Sequence, residues 1–169
     1  MMRRIVIMGV SGCGKSSVGA ALSGALGIAY RDGDDLHPSA NVAKMRAGEA
    51  LTDDDRWPWL DRVAHELASL APVIVGCSAL RRAYRDRIRA GAEGPVCFVH
   101  LSGSRALIAK RMAARSGHFM PASLLDSQFA TLEPPAPDED AITVDIDQPL
   151  DRLVAEILGR IAQRDADSR

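Results

Sequence analysis

The chain has 169 residues, and its 21 Lys and Arg residues nearly balance its 22 Asp and Glu residues, which gives a formal charge of −1. This length suits one domain with a full hydrophobic core, and the balanced charge excludes a strong global attraction to nucleic acid or to an anionic membrane. No window approaches the roughly 18 apolar residues needed to cross a bilayer, and the three dispersed cysteines lack a C-x-x-C pair, which fits a reducing cytoplasm.

Short apolar runs alternate with longer segments of helical periodicity. We predict strands at 4–8, 28–31, 73–76, 96–101 and 142–145, and helices at 15–26, 59–70, 79–90, 105–115 and 150–162. Several of the apolar runs have no polar alternation, as is typical of strands buried on both faces. The alternation of strands and helices therefore predicts an α/β fold with a parallel sheet.

The segment GVSGCGKS, residues 9–16, matches the phosphate-binding pattern G-x-x-x-x-G-K-[ST] between the first strand and the first helix. Its glycines allow backbone N–H groups to converge on phosphate oxygens at the positive end of the helix. Lys15 is expected at the β- and γ-phosphates, and Ser16 as a ligand of Mg²⁺. A chance glycine-rich turn is the alternative, which the strand-to-helix position disfavours. The predicted nucleotide contacts here are Gly9, Ser11, Gly12, Cys13, Gly14, Lys15, Ser16 and Ser17, with Cys13 interpreted as a small filler.

The acidic turn DGDDLHP, residues 32–38, follows the second predicted strand. Ligands of open parallel sheets bind beyond the carboxyl ends of the strands, so the turn and the phosphate-binding loop share one edge. If the two strands are close, Asp32 is expected to hold a Mg²⁺-bound water and Asp34 to accept the proton of an acceptor hydroxyl. Gly33 would permit a close backbone approach. The alternative is a solvated turn.

The next segment contains conflicting helix signals. Thr52 and the three aspartates after it can form a capping box and suit the positive end of a helix. Pro58, however, disfavours helical geometry at Trp57, so we expect an irregular entry and a regular helix from about Pro58. A second irregular segment, the acidic and proline-rich stretch 133–140, is predicted to be a surface loop.

Basic residues cluster in three places. One cluster follows the acidic turn and one follows the third strand, and either could face an anionic group of the acceptor, although solvated helix faces are the alternative; their members are Lys44, Arg46 and Arg56, and then Arg81, Arg82 and Arg85. In the third, Arg111 and Arg115 share a helical face. They precede a predicted mobile lid at about 116–122, which would exclude water during phosphoryl transfer.

Together these motifs resemble one family. GVSGCGKS, DGDDLHP, LTDDDRWPWL, CSALRRAYRDRIR, RSGHF and VDIDQPL are similar, in this order, to segments of the bacterial-type gluconate kinases, which belong with the nucleoside-monophosphate-kinase-like P-loop proteins. The resemblance, which extends over about residues 4–150, implies a three-layer P-loop fold with five parallel strands and a mobile lid in a single domain, residues 1–169. It also implies transfer of the γ-phosphoryl group of ATP to the 6-hydroxyl of D-gluconate, with Mg²⁺, in a cytoplasmic homodimer that binds no nucleic acid or membrane.

The resemblance also assigns residues. Lys15, Asp34 and Arg115 are expected to be catalytic, and Arg111 and Arg115 to contact the nucleotide. By a weaker likeness to shikimate kinases, Asp32 joins Ser16 of the phosphate-binding loop in the metal region, and Asp34 is expected in acceptor binding or base catalysis. Acceptor contacts are expected within about 32–60 and beyond, at Asp34, His37, Lys44, Arg56, Arg81 and His118.

Two other functions remain open at the level of sequence. Adenylylsulfate- or shikimate-type kinases combine a similar loop with an acidic turn, but a nucleotide acceptor favours aromatic stacking, and this chain has three Phe, two Tyr and two Trp. The other alternative is a nucleotide-binding switch module without a small acceptor. It would bind ATP without acceptor-dependent turnover.

Overall fold

The computed structural model describes residues 3–115 and 122–169. The strands are β1 (Arg4–Met8), β2 (Ala29–Asp32), β3 (Val73–Gly76), β4 (Cys97–Ser102) and β5 (Ile142–Asp145). The helices are α1 (Lys15–Leu26), α2 (Ser39–Arg46), α3 (Asp53–Leu70), α4 (Arg82–Gly91), α5 (Arg105–Ala113), α6 (Ala122–Thr131) and α7 (Leu150–Asp167). Single 3₁₀ turns lie at Gly33–Leu36 and Pro137–Glu139.

The five strands form one parallel sheet in the order β2-β3-β1-β4-β5. Helices cover both faces: one buried cluster includes Val18 of α1 and Ile157 of α7, and another includes Leu60 of α3 and Ile88 of α4. The predicted three-layer α/β fold with five parallel strands is therefore confirmed. Two strands, β2 and β4, begin one residue later than expected.

The predicted irregular entry to α3 is wrong. The helix begins at Asp53, and Thr52 caps it with both bonds of a capping box, since its hydroxyl accepts from the Asp55 N–H and its own N–H donates to the Asp55 carboxylate. Pro58 lies inside the helix. The cap and the burial of Trp59 and Leu60 offset the one backbone bond that proline cannot donate.

Other boundaries differ for local reasons. Helix α4 begins three residues later than predicted, because Ala79 has a left-handed backbone (φ 45°) that cannot belong to a right-handed helix. Helices α2 and α6 were not predicted. The segment 133–140 is mostly exposed, but Glu139 within it is buried, so the surface-loop prediction is wrong at that residue. Among the helices of the described residues, none is both long enough and apolar enough to cross a membrane.

Candidate active site

The phosphate-binding loop has the backbone that its glycines predict. Gly9, Gly12 and Gly14 have φ values of 145°, 80° and 98°, which L side chains rarely adopt. At Gly12 a side chain would also meet Met112 of α5, whose Cγ lies 2.5 Å from the position of a Cβ atom. The Lys15 ammonium donates to the carbonyls of Gly9 (2.9 Å) and Val10 (3.2 Å), so its charge lies over the start of the loop.

A cavity of about 350 Å³ opens beside this loop, within the size range of small-molecule sites. It joins several predicted nucleotide contacts to the end of α5 and the start of α7. The lining residues that matter here are Gly12, Cys13, Gly14, Ser17, Arg111, Arg115 and Gln148. The Arg111 guanidinium also donates to the Ile146 carbonyl (2.6 Å), which fixes one wall. Burial raises the pKa of the Cys13 thiol, in keeping with a filler.

A residue absent from the sequence-based prediction holds the middle of the loop. Gln128 of α6 accepts a hydrogen bond from the Ser11 N–H through Oε1 (2.7 Å) and donates to the Ser11 hydroxyl through Nε2 (3.0 Å). The two residues are 117 positions apart in sequence. No local pattern could have signalled this contact.

The acidic turn lies at the same edge of the sheet, beyond β2, but β3 separates β2 from β1. Asp32 caps the turn, and its Oδ1 accepts from the Asp34 N–H (3.0 Å). Gly33 approaches the Gly76 carbonyl so closely that a Cβ would lie 2.3 Å from its oxygen, as the expected backbone approach requires. Asp34 is exposed overall, but desolvation of its carboxyl, and then the negative charge of Asp32, raise its pKa, while Lys15 partly opposes this. Asp34 and Lys15 are therefore close enough for their charges to interact.

The two predicted metal-region residues border this turn. Burial raises the pKa of Tyr30, the nearby Ser16 side chain opposes this rise, and the charge of Asp32 adds to it. Among residues 3–115 and 122–169, no group of three or more His, Cys, Asp or Glu side chains could by itself hold a metal ion. A hydroxyl and one free carboxylate oxygen still fit Mg²⁺, which usually keeps several waters and binds substrate phosphates.

Two of the predicted acceptor contacts form a cationic pair. Arg56 donates to the Tyr84 hydroxyl (3.1 Å) and lies 3.4 Å from Asp53, and Arg81 lies 3.6 Å from the same carboxylate. Arg81 is exposed and Arg56 half-buried. The pair can accept a further carboxylate, because Asp53 neutralises only one of the two charges.

Other predicted contacts are engaged elsewhere. Lys44 donates to the Asp55 carboxylate (2.7 Å), which raises the pKa of Lys44 and lowers that of Asp55 to about 2. Arg82 pairs with Asp138 instead of facing an acceptor. His118 lies outside the described residues, as does nearly all of the expected lid.

The expectation for Arg85 is wrong. Its side chain is fully buried and forms a bidentate ion pair with Glu139 (2.7 and 2.9 Å). Two further bonds, to the carbonyls of Ala79 and Glu133, use the remaining face of the guanidinium. Arg85 therefore anchors α4 to the segment before β5, and four of its five N–H donors are used in these bonds, away from the surface.

Comparison with known proteins gives consistent matches. The AAA domain family matches residues 5–135. A gluconokinase from Gluconobacter oxydans (strain 621H) is 44% identical over 167 residues, covering 96% of this chain and 93% of the relative. The crystal structure of a gluconokinase from Sinorhizobium meliloti 1021 superposes with a TM-score of 0.89 at 52% identity, covering 95% of this chain and 92% of that one. The APS kinase of Mycobacterium tuberculosis, at 22% identity, a TM-score of 0.68 and coverage of 95% and 98%, shares the fold alone.

Proposed function

The chain belongs to the gluconokinase family, and we propose that it transfers the γ-phosphoryl group of ATP to the 6-hydroxyl of D-gluconate. The family and the P-loop kinase fold predicted from the motifs are confirmed. One observation carries the proposal: the phosphate-binding loop opens into a cavity walled by Arg111 and Arg115, while the acidic turn lies at the same edge of the sheet.

The nucleotide side supplies positive charge and N–H donors. The loop N–H groups hold the phosphates, and Lys15 neutralises charge near the transferred group. Arg111 and Arg115, which line the same cavity as the loop, would contact the phosphates. Bound Mg²⁺ would reduce the charge repulsion within the triphosphate during transfer. Ser16 and Asp32 would hold it, Asp32 through a water molecule.

The acceptor side supplies a base and an anion site. Asp34 accepts the proton of the 6-hydroxyl while the hydroxyl oxygen attacks the γ-phosphorus and the bond from that phosphorus to ADP breaks. The raised pKa of Asp34 makes it a stronger base than an ordinary aspartate. Arg56 and Arg81 receive the carboxylate of gluconate. His37, His118 and Lys44, whose ammonium has two further donors beside the one that binds Asp55, complete the contacts with the acceptor.

The assembly and the location follow from the same family likeness. We propose a homodimer of single-domain chains in the cytoplasm, acting on a small molecule. Sedimentation equilibrium of the purified chain, with and without substrates, measures the dimer directly. A monomer at all concentrations would contradict it.

An ADP-release assay with gluconate, shikimate and adenylylsulfate, each with magnesium and ATP, tests the activity. We expect turnover with gluconate, loss of turnover in Lys15→Ala, and normal turnover in Lys110→Ala, because Lys110 is an exposed lysine outside the cavity lining. Turnover with adenylylsulfate alone would contradict the gluconate assignment. ATP hydrolysis that no acceptor stimulates would favour the nucleotide-binding switch.

A further inference from the structure

One buried amide determines which ring nitrogen of His37 carries the proton. Asn41 of α2 is 3% exposed, and its Nδ2 donates to the backbone carbonyl of Asp55 (2.9 Å). A carbonyl only accepts hydrogen bonds, so this contact fixes the orientation of the Asn41 amide. The same Nδ2 lies 3.2 Å from Nδ1 of His37. Because an amide nitrogen only donates, Nδ1 must be the acceptor, and the proton of the neutral ring is on Nε2.

Trp59 of α3 fixes the plane of the same ring. The two rings stack with centroids 4.1 Å apart and an angle of 15° between their planes. The indole is itself held, because it is 3% exposed and donates to the Gly33 carbonyl (2.8 Å). His37 is therefore fixed from two sides by residues of α2 and α3. The second ring nitrogen, Nε2, has no hydrogen-bond partner within the described parts of the chain.

We propose that Asn41 is a positioning residue that holds His37 as the neutral Nε2–H tautomer, so that the acceptor pocket presents an uncharged donor to a hydroxyl oxygen of a polyol. The part concerning the acceptor rests on the proposed function, whereas the tautomer does not. The arrangement complements Asp34, which accepts from one hydroxyl, with a donor for another. It adds no cation beside Arg56, which belongs to the carboxylate site.

The surroundings of the ring oppose the cationic form. A protonated His37 would turn an N–H toward the Asn41 amide hydrogens, which removes that bond and adds repulsion. Burial first, and then the positive charge of Arg56, lower the pKa of His37 to about 4. The neutral ring is therefore the form present at neutral pH.

Long-range ¹H–¹⁵N correlation spectra of the labelled protein test the tautomer without any substrate. The chain has four histidines, and His37→Gln assigns the signal. We expect the neutral Nε2–H pattern at pH 7 and a mixture of tautomers in Asn41→Leu, which keeps the branched shape of the side chain and removes the donor. Ser39→Ala, an exposed change in the same helix, should leave the pattern intact. An Nδ1–H or a cationic ring in the wild type would overturn the proposal.

Kinetics test the role toward the acceptor. His37→Phe keeps the stacking and lacks a donor, so we expect KM for gluconate to rise about tenfold, the effect of one lost hydrogen bond, with KM for ATP within twofold. His37→Gln restores an N–H donor and should recover part of the loss. Unchanged KM for gluconate in His37→Phe would overturn the donor role. Absence of gluconate turnover in the wild type, with the Nε2–H pattern present, would instead refute the proposed function and leave the tautomer standing.

Discussion

The contact between Gln128 and the phosphate-binding loop predicts a defect that distinguishes ATP from ADP. Ser11 follows Gly9 and Val10, whose carbonyls hold the Lys15 ammonium. Since the lysine of this motif reaches the β- and γ-phosphates, Ser11 lies at the terminal-phosphate end of the loop. Replacing Gln128 by Ala removes both bonds that hold Ser11 there.

The size of the effect follows from the two bonds. Their lengths are 2.7 and 3.0 Å, and both residues are half-buried. A net hydrogen bond contributes about 0.5–1.5 kcal/mol, and partial exposure favours the lower half of that range. A total of about 1–2 kcal/mol corresponds to about a 5- to 30-fold weaker affinity for ATP. The affinity for ADP should change by less than about twofold, because ADP lacks the terminal group.

Isothermal titration calorimetry with magnesium–ATP and magnesium–ADP measures both affinities. Gln163→Ala is the matched control, since Gln163 is an exposed helical glutamine whose side chain donates to Asp167, four residues away in the same helix. Tighter ATP binding in Gln128→Ala would refute the reasoning, because it would mean that Gln128 competes with the nucleotide for the Ser11 N–H. An equal loss for ATP and ADP would show general loosening of the loop instead.

Three further changes test other parts of the structure. Asp34→Asn should lower kcat by about 10²-fold or more, the usual contribution of a general base, with ATP affinity unchanged by calorimetry. Glu139→Gln should lower the free energy of unfolding in urea by about 3–5 kcal/mol, because it leaves the buried Arg85 without its counter-ion. His100 is buried, and burial and then Arg85 lower its pKa from 6.5 to about 4. The unfolded chain therefore binds the extra proton, so stability should be full above about pH 6.5 and fall toward pH 4, by at most about 3 kcal/mol from this group.

Each of these predictions has a specific control. Unchanged kcat in Asp34→Asn would remove the residue from the mechanism. For the buried ion pair, the double change Arg85→Met and Glu139→Leu should recover most of the lost stability, and a double mutant as unstable as Glu139→Gln would contradict the argument from an unpaired charge. For His100, His100→Gln should flatten the decline between pH 6.5 and 4, whereas an unaltered slope would assign that decline to other groups.

Local sequence predicted the features that depend on neighbours in the chain. The phosphate-binding loop needs a backbone conformation with positive φ at Gly9, Gly12 and Gly14, which glycine adopts readily. The motif alone was therefore enough to predict the loop. Gly33 is likewise identified by its place after a strand. The alternation of apolar runs predicts the sheet, but it does not indicate that β3 lies between β1 and β2.

The arginines of α4 and of the residue before it show where local reading failed. Arg81, Arg82 and Arg85 look alike as basic residues near an acceptor. Arg85, however, lies on the helical face of Tyr84 and Ile88, both buried, and that periodicity would have indicated burial. Its partner Glu139 is 54 residues away, in a stretch whose composition indicates a loop. An ion pair between residues so far apart in sequence cannot be predicted from a short segment of the chain.

Asp55, at the start of α3, connects two groups of residues in the proposed acceptor site. Its carboxylate accepts from the Thr52 N–H and from Lys44, and its backbone carbonyl accepts from Asn41, which in turn holds His37. The same residue therefore caps one helix, restrains a cation and fixes a tautomer. If α3 began at Pro58, as the proline rule suggested, Asp55 would lie outside the helix. The helix would then no longer hold its carbonyl where Asn41 can bind it. The early start of α3, which the sequence indicated only through its capping box, is thus a condition for the geometry of the proposed acceptor site.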